Sequence, residues 1–241
     1  MIGASAPGHV RRVLAFSGVN VVLFGATGMV GAGALAECLA DNRVRSVVAL
    51  TRSPIGRTHP KLREMLRSDF FHYNDCRSEF AICDACLFCL GVSSIGMNQE
   101  AYVRLTYDLT LAAAHALVAA NPRMTFCYVS GVGTDRTEQG ARMWARVKGR
   151  TENALLALPF KASYMFRPGY IQPVGGVRSR TGWVHGVYTV VAPLYPIVRR
   201  LMPSATTTTA NLGRALIEVA ASGYPRRILY SPDFNRLAAV K

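Results

Sequence analysis

Short apolar runs alternate along this chain with longer stretches in which apolar residues recur at helical spacing. The runs predict strands because they are rich in β-branched residues and end at turn-forming residues. The predicted strands are Val19–Phe24, Ser46–Leu50, a weak strand ending near Asp69, Ala85–Leu90, Thr125–Ser130 and Ala162–Phe166. The predicted helices are Met29–Ala40, Gln99–Ala120, Gly140–Leu158 and Ala210–Ala221, the last one capped by Thr206–Thr209. This alternation predicts an α/β fold, a doubly wound parallel sheet with a small C-terminal helical elaboration.

The domain organisation follows from where this rhythm begins and where it changes. Residues 1–17 are interpreted as a loose N-terminal extension without a signal peptide, and residues 18–241 as a single domain. Residues 170–210 are interpreted as a cap on the substrate side. Within it, residues 183–202 are strongly apolar but too short in uncharged length to span a bilayer core of about 30 Å. We interpret them as a cover for the pocket; contact with a membrane surface, a partner or another subunit is the alternative.

The chain carries a formal net charge of +14, and most of the excess lies in its second half. Residues 121–241 contain 17 Lys and Arg against 5 Asp and Glu. Such a surface could attract phosphates, acidic substrates, nucleic acid or an anionic membrane. Zinc-finger spacing and aromatic RNA-binding motifs are missing, so a nucleic-acid partner is not predicted. We interpret the charge as a basic surface and expect a small-molecule substrate.

The six cysteines include a run with regular spacing, Cys83, Cys86 and Cys89. This spacing resembles that of iron–sulfur ligands, but no Cys-Pro pair follows it. The segment around Cys86 reads instead as a buried strand, in which cysteine is a small apolar residue. We therefore expect no metal site, and free thiols favour a cytoplasmic location.

A glycine-rich motif, residues 25–31, follows the first strand and opens the first helix. Gly25 permits a tight turn, Gly28 lets backbone amides approach a pyrophosphate, and Gly31 allows close packing of helix and strand. The helix N-terminus offers free N–H groups and a positive dipole to phosphates. This context predicts a dinucleotide site of the Rossmann type. The predicted contacts are Gly25, Thr27, Gly28, Met29, Val30 and Gly31.

The residues that follow the next strands indicate which dinucleotide is bound. Arg52 and Ser53 stand where an NAD site places an acidic residue for the ribose 2′-hydroxyl, and they suit a 2′-phosphate. Asp69 could accept a hydrogen bond from the adenine amino group, and Gly91 allows a close backbone approach. The sequence therefore predicts NADP(H) in preference to NAD(H).

In the order of these motifs the chain resembles the short-chain dehydrogenase/reductase superfamily, in its extended or atypical branch that includes epimerases and dehydratases. The resemblance runs from about residue 19 to 166 and more loosely to about 230. It implies a catalytic Ser at Ser130, a ribose-binding Lys at Lys148, and a nicotinamide-side segment formed by Arg167, Pro168 and Gly169. The family's catalytic Tyr, four residues before the Lys, is replaced by Trp144.

The Trp144 replacement leaves the chemistry open because an indole N–H does not titrate near neutral pH. The first hypothesis is an NADP(H)-dependent oxidoreductase or epimerase-like enzyme acting on a small carbonyl or alcohol, with Tyr102 or Tyr170 as candidate proton donors. The second is a non-catalytic NADP(H)-binding redox sensor or scaffold. Ser130 is predicted either to polarise a carbonyl or to make a local backbone bond.

Overall fold

A computed structural model of the protein describes residues 18–175 and 205–239. The predicted extension, residues 1–17, lies outside the described residues, and so does the apolar segment 183–202 of the predicted cap. In the described ranges, no helix combines the length and the apolar character that crossing a membrane requires.

Nine strands are formed by the described residues, and seven of them make one parallel sheet. The order in that sheet is β3-β2-β1-β4-β5-β6-β9, and β7 pairs with β8 in a separate parallel ribbon. The strands are β1 Val19–Phe24, β2 Val44–Thr51, β3 Leu62–Leu66, β4 Ala85–Phe88, β5 Thr125–Val129, β6 Ala162–Arg167, β7 Tyr170–Gln172, β8 Thr206–Thr208 and β9 Ile228–Tyr230. The predicted parallel α/β sheet is confirmed.

Helices cover both faces of this sheet in the described part of the chain. They are α1 Met29–Ala40, α2 Arg77–Ala81, α3 Gln99–Val103, α4 Leu109–Ala120, α5 Met143–Ala157, α6 Thr209–Ser222 and α7 Ser231–Leu237, with a 3-10 turn at Asn74–Cys76. Capping explains the start of α6, because the Thr208 side chain accepts a hydrogen bond from the Asn211 amide at 3.0 Å. Gly223 follows α6 with φ +73, a left-handed conformation that suits glycine.

Alternation along each strand divides the core into two layers. Val21 and Leu23 of β1 pack with α1 and α6 on one face, whereas Val22 and Phe24 pack with α2, α4 and α5 on the other. All four side chains are buried. A strand covered on both faces reads as a continuous apolar run, which is why β1 and its neighbours are visible in the sequence.

Three features differ from the sequence predictions. The predicted helix Gln99–Ala120 is interrupted by a π-helical segment, Arg104–Asp108. The short ribbon β7-β8 was not predicted. The predicted C-terminal elaboration is part of the main architecture, since α6 packs against α1 and β9 extends the sheet beside β6.

The strand order reverses between the neighbouring strands β1 and β4. The helix after β1 covers one face of the sheet, and the helices after β4 cover the other. In open parallel sheets, ligands bind outside the carboxyl ends of the strands at this point. Gly25 follows β1 there, and a Cβ on it would lie 2.8 Å from the carbonyl carbon of Cys89. The fold thus brings the glycine motif against the end of β4.

Candidate functional site

A cleft of about 520 Å³ opens at the carboxyl ends of β1, β4, β5 and β6. This volume lies within the range of small-molecule and cofactor sites. Its walls are formed by Gly28, Met29 and Val30 at the start of α1, by residues 89–92 after β4, by residues 129–132 at the end of β5, by Trp144 and Lys148 of α5, and by Pro168, Gly169 and Ile171. Most of the predicted cofactor and catalytic residues therefore meet in one cleft.

The glycine turn has little room for side chains at two of its three glycines. Gly25 has φ +84, and a Cβ on Gly31 would lie 2.0 Å from the Gly25 carbonyl oxygen. The Gly28 amide donates to that same oxygen at 2.9 Å and closes the turn. A Cβ on Gly28 would meet only this oxygen, at 3.4 Å. Side chains are excluded beneath the turn, and Gly28 faces outward.

The backbone amides at the N-terminus of α1 point toward the cleft, and no side chain in the first turn of the helix offsets their positive dipole. Gly28 is the N-cap and makes no side-chain cap hydrogen bond, and the first turn contains no acidic residue. Thr27, also predicted as a contact, is half-buried in the turn and does not line the cleft. The free amides and the helix dipole make this end of α1 suited to an anionic group.

Trp144 and Lys148 lie one turn apart on α5 and both line the cleft. The Lys148 Nζ donates to the Ser130 carbonyl oxygen at 2.9 Å and lies 5.8 Å from the centroid of the Tyr128 ring. Burial lowers the pKa of Lys148 to about 8, and the opposing influence of Glu152 is smaller. The tip of the Trp144 indole packs near Gly133, which has φ +85. Trp144, four residues before Lys148, thus lies at the site, but its indole does not titrate near neutral pH.

The Ser130 hydroxyl is engaged by a carboxylate that the sequence analysis missed. Its Oγ donates to Glu152 Oε1 at 2.6 Å, and the Phe166 carbonyl lies farther away, at 3.2 Å. Glu152 is 0% exposed and is paired with Arg167, whose Nε lies 2.9 Å from the same oxygen. The bond to the Phe166 carbonyl is a backbone bond as predicted, although its acceptor lies on the neighbouring strand β6, and polarisation of a substrate carbonyl stays a prediction. The one available signal was that Glu152 continues the helical spacing of Trp144 and Lys148.

The structure places Arg167 elsewhere than the resemblance implied. Arg167 is only 8% exposed, and its guanidinium lies behind Ser130 against Glu152 and not along the cleft. A buried guanidinium needs a charged partner, and Glu152 provides it. Pro168 and Gly169, the rest of the predicted segment, do line the cleft.

The two tyrosines considered as proton donors do not line the cleft in the described part of the chain. Tyr102 is 1% exposed, and burial raises its pKa. The Tyr170 hydroxyl lies 2.8 Å from Gln172 Oε1, in the β7-β8 ribbon. Neither is positioned to exchange a proton with a ligand in the cleft.

The residues predicted to select the dinucleotide lie along the same edge of the sheet. Arg52 directly follows β2 and is exposed, and Ser53 beside it is half-buried. Asp69 follows β3, where its carboxylate accepts from the Phe71 amide at 2.7 Å and contacts His72 at 2.6 Å. The hydrogen bond from the Phe71 amide, and to a smaller extent the contact with His72, hold the pKa of Asp69 below its usual range. Gly91 lines the cleft, and a Cβ on it would meet nothing within 4 Å.

The regularly spaced cysteines do not converge. Cys86 packs into the core beneath α4 and α5, whereas Cys89 packs against the opposite layer. Burial raises the pKa of Cys83 and of Cys89 to about 12. In residues 18–175 and 205–239, no three His, Cys, Asp or Glu side chains are grouped as metal ligands would be.

Known proteins resemble part of this chain in sequence. No family model matches the chain. It is similar to leucinostatins biosynthesis cluster protein T of Purpureocillium lilacinum, at 27% identity over 165 residues, and to the mitochondrial protein fmp52 of Emericella nidulans, at 28% over 158 residues. The matches cover 67% and 63% of this chain. The chain spans only 59% and 66% of the length of these two relatives.

Solved structures match more of the chain. MoeE5 in complex with UDP-glucose and NAD aligns with a TM-score of 0.63 and 19% identity, over 88% of this chain and 74% of that one. A short-chain dehydrogenase from Burkholderia cenocepacia in complex with NADP aligns with a TM-score of 0.63 and 16% identity, over 93% and 94%. A Helicobacter pylori heptose epimerase aligns with a TM-score of 0.64 and 13% identity, over 89% and 77%.

The parallel sheet, with a glycine turn at its reversal point, defines a Rossmann-type fold. The chain shares this fold with the solved short-chain dehydrogenase from Burkholderia cenocepacia and with the solved heptose epimerase.

Proposed function

We propose that this chain binds NADP(H) in the cleft and is an oxidoreductase or epimerase-like enzyme acting on a carbonyl or alcohol. One observation carries the proposal: the glycine turn with the α1 N-terminus forms one wall of the cleft, and Ser130, Trp144 and Lys148 form the other. The glycine turn and the residues at the family's catalytic positions thus face the same space. Structural neighbours bound to NAD and to NADP support a nicotinamide dinucleotide.

The residues present fit this cofactor. The open approach over Gly28 and the free amides of α1 suit the pyrophosphate. Arg52 and Ser53 would hold the 2′-phosphate, Asp69 the adenine, and Lys148 the nicotinamide ribose. Gly91, Pro168 and Gly169 would line the nicotinamide side. When bound, the nicotinamide supplies or accepts a hydride.

The mouth of the cleft favours an uncharged, apolar substrate. Val92 and Val132 line it and are 41% and 56% exposed. Among the lining residues that the structure describes, Lys148 is the one cationic side chain, and none is acidic. A small aldehyde, ketone or quinone fits such walls better than a polyanion does.

Replacing Arg52 by Asp is expected to weaken NADPH binding about 10- to 150-fold, since a hydrogen bond to a charged group is worth about 1.5–3 kcal/mol. NADH carries no 2′-phosphate, so its affinity should change little. Calorimetric titration of both cofactors measures the difference. Equal losses for NADPH and NADH would contradict the assignment of Arg52.

Arg45→Asp is the matched control for this substitution. Arg45 is exposed near the opposite end of the same strand, about 20 Å away at 3.3 Å per residue. The substitution Arg45→Asp changes the net charge of the protein by the same amount as Arg52→Asp. We expect it to leave the ratio of NADPH to NADH affinity unchanged, because a 2′-phosphate near Arg52 lies beyond a Debye length of about 10 Å.

Trp144 favours one alternative, an NADP(H)-binding sensor or scaffold without turnover. The experiment that separates the two is incubation with NADPH and a panel of aldehydes and quinones while the nicotinamide absorbance is followed. Turnover that Ser130→Ala abolishes supports the enzyme. Tight NADPH binding with no turnover across the panel supports the sensor.

A further inference from the structure

We propose that the ammonium group of Lys148 donates the proton that a carbonyl substrate takes up on reduction, the task that the family gives to a tyrosine hydroxyl. This inference rests on the proposed function and names the acid that it requires. It assigns Lys148 a catalytic role in addition to the ribose contact that the resemblance implied.

The cleft itself narrows the choice of proton donor. Among its described lining residues, Lys148 and Cys89 are the side chains that ionise. Trp144 is a donor that does not give up its proton. The single Ser130 hydrogen is already engaged, by Glu152 at 2.6 Å and by the Phe166 carbonyl at 3.2 Å. Tyr102 is buried elsewhere.

Cys89 is a poor acid at this position. Its thiol is partly buried against the core layer of α1 and α6. Burial raises its pKa to about 12, so the proton is held too tightly to be given up near neutral pH. Among the described residues that line the cleft, Lys148 is the remaining group.

The surroundings of Lys148 fix its position and leave hydrogens available. One ammonium hydrogen is donated to the Ser130 carbonyl, which holds Nζ at the cleft wall. An ammonium has three hydrogens, and the described residues provide no acceptor for the other two. The Tyr128 ring lies on the β5 side of Nζ, which is favourable for the cation.

The charged and titratable groups around Lys148 leave its proton labile. Glu152, one turn along α5, favours the ammonium, but its carboxylate is already shared with Ser130 and Arg167. Tyr128 on β5 and Cys89 directly after β4 stay neutral because burial raises their pKa. Burial lowers the pKa of Lys148 to about 8, near the working pH that general acid catalysis favours.

With NADPH as the hydride donor, the step balances without a further reactant. As a hydride reaches the carbonyl carbon, the π pair of the C=O bond moves to the oxygen. An Nζ–H bond then breaks while an O–H bond forms, which leaves a neutral amine and an alcohol. The amine regains a proton from water at the open mouth. In the oxidative direction the neutral amine accepts the alcohol proton.

The activity test compares Lys148→Arg with the unaltered protein. Arginine keeps the positive charge but cannot be deprotonated in proteins. We expect Lys148→Arg to lose about 10²- to 10⁴-fold in kcat at saturating NADPH, whereas a weakened ribose contact would appear separately, as a higher Kd for NADPH. In the unaltered protein, kcat for reduction should fall as pH rises through about 8, because the acid form is lost. Lys161→Arg, an exposed control, should change none of these readouts.

A readout independent of turnover uses the scarcity of lysine in this chain. Only Lys61, Lys148, Lys161 and Lys241 are present, so ¹³C-methylated lysine signals can be resolved by NMR. The signal absent from Lys148→Arg should titrate near pH 8 and shift on addition of NADP⁺.

The outcomes separate the inference from the proposed function. Turnover of Lys148→Arg comparable to the unaltered protein, or titration of Lys148 near 10.4, would overturn the inference and leave the proposed function standing. Absence of NADPH binding or of any turnover in the unaltered protein would overturn the proposed function and the inference with it.

Discussion

Glu152→Ala is expected to lower the free energy of unfolding by about 3–5 kcal/mol, the usual loss when one partner of a buried ion pair is removed. The substitution leaves the Arg167 guanidinium, only 8% exposed, without its carboxylate. It also removes the nearer of the two acceptors of the Ser130 hydroxyl. Urea unfolding followed by circular dichroism measures the change.

A double substitution, Glu152→Leu with Arg167→Met, is the control for that experiment. Replacing both charges by apolar side chains removes the buried charge together with its partner, and such replacements are often neutral or stabilising. We expect the double variant to recover most of the stability lost in Glu152→Ala. A double variant no more stable than Glu152→Ala would show that the loss comes from packing and not from the orphaned guanidinium.

Gly31→Ala should both destabilise the protein and abolish detectable NADPH binding. The added Cβ would lie 2.0 Å from the Gly25 carbonyl oxygen, a backbone atom held by the Gly28 amide. Overpacking costs about 1–3 kcal/mol and occasionally more, and a backbone obstacle places this site at the upper end. Relief requires α1 to move away from the turn, which displaces the amides that face the phosphates.

Gly91→Ala gives the matched comparison for stability at the same cleft. Its Cβ would meet nothing within 4 Å, so the change in unfolding free energy should stay within about 0.5 kcal/mol. Thermal unfolding with and without NADPH checks both variants. If Gly31→Ala were as stable as Gly91→Ala and still gained stability from NADPH, the packing argument at the turn would be wrong.

Local signals in the sequence were sufficient to predict β1 and α1, the start of the first βαβ unit. The bounds of β1 and α1 agree with the prediction because Gly25 ends a continuous apolar run and Gly28 opens a helical pattern. The family resemblance implied that Lys148 and, four residues before it, Trp144 belong to the site, and both line the cleft. Where hydrophobic periodicity and turn-forming residues coincide, the sequence alone predicts where a strand or helix begins and ends.

Features that depend on distant contacts were missed. β9 has three residues, too few for a periodic signal, and it is a strand because β6 offers it an open edge. The π-helical segment within the predicted helix Gln99–Ala120 has no signature in an Ala- and Leu-rich stretch. Glu152 looks like a surface residue until Arg167, fifteen positions later, is placed beside it.

The contact between α1 and α6 has a consequence for biosynthesis. A Cβ on Gly33 would lie 2.6 Å from the Thr209 Cβ, and Glu37 is bonded to Arg214 at 2.8 Å. The helix α1, which begins at the glycine turn, is therefore covered by α6, a segment that is synthesised much later than α1. Until α6 emerges from the ribosome, one side of the sheet stays uncovered and its apolar surface is open to chaperones or aggregation. The cleft at the end of this sheet should thus form late in the synthesis of the domain.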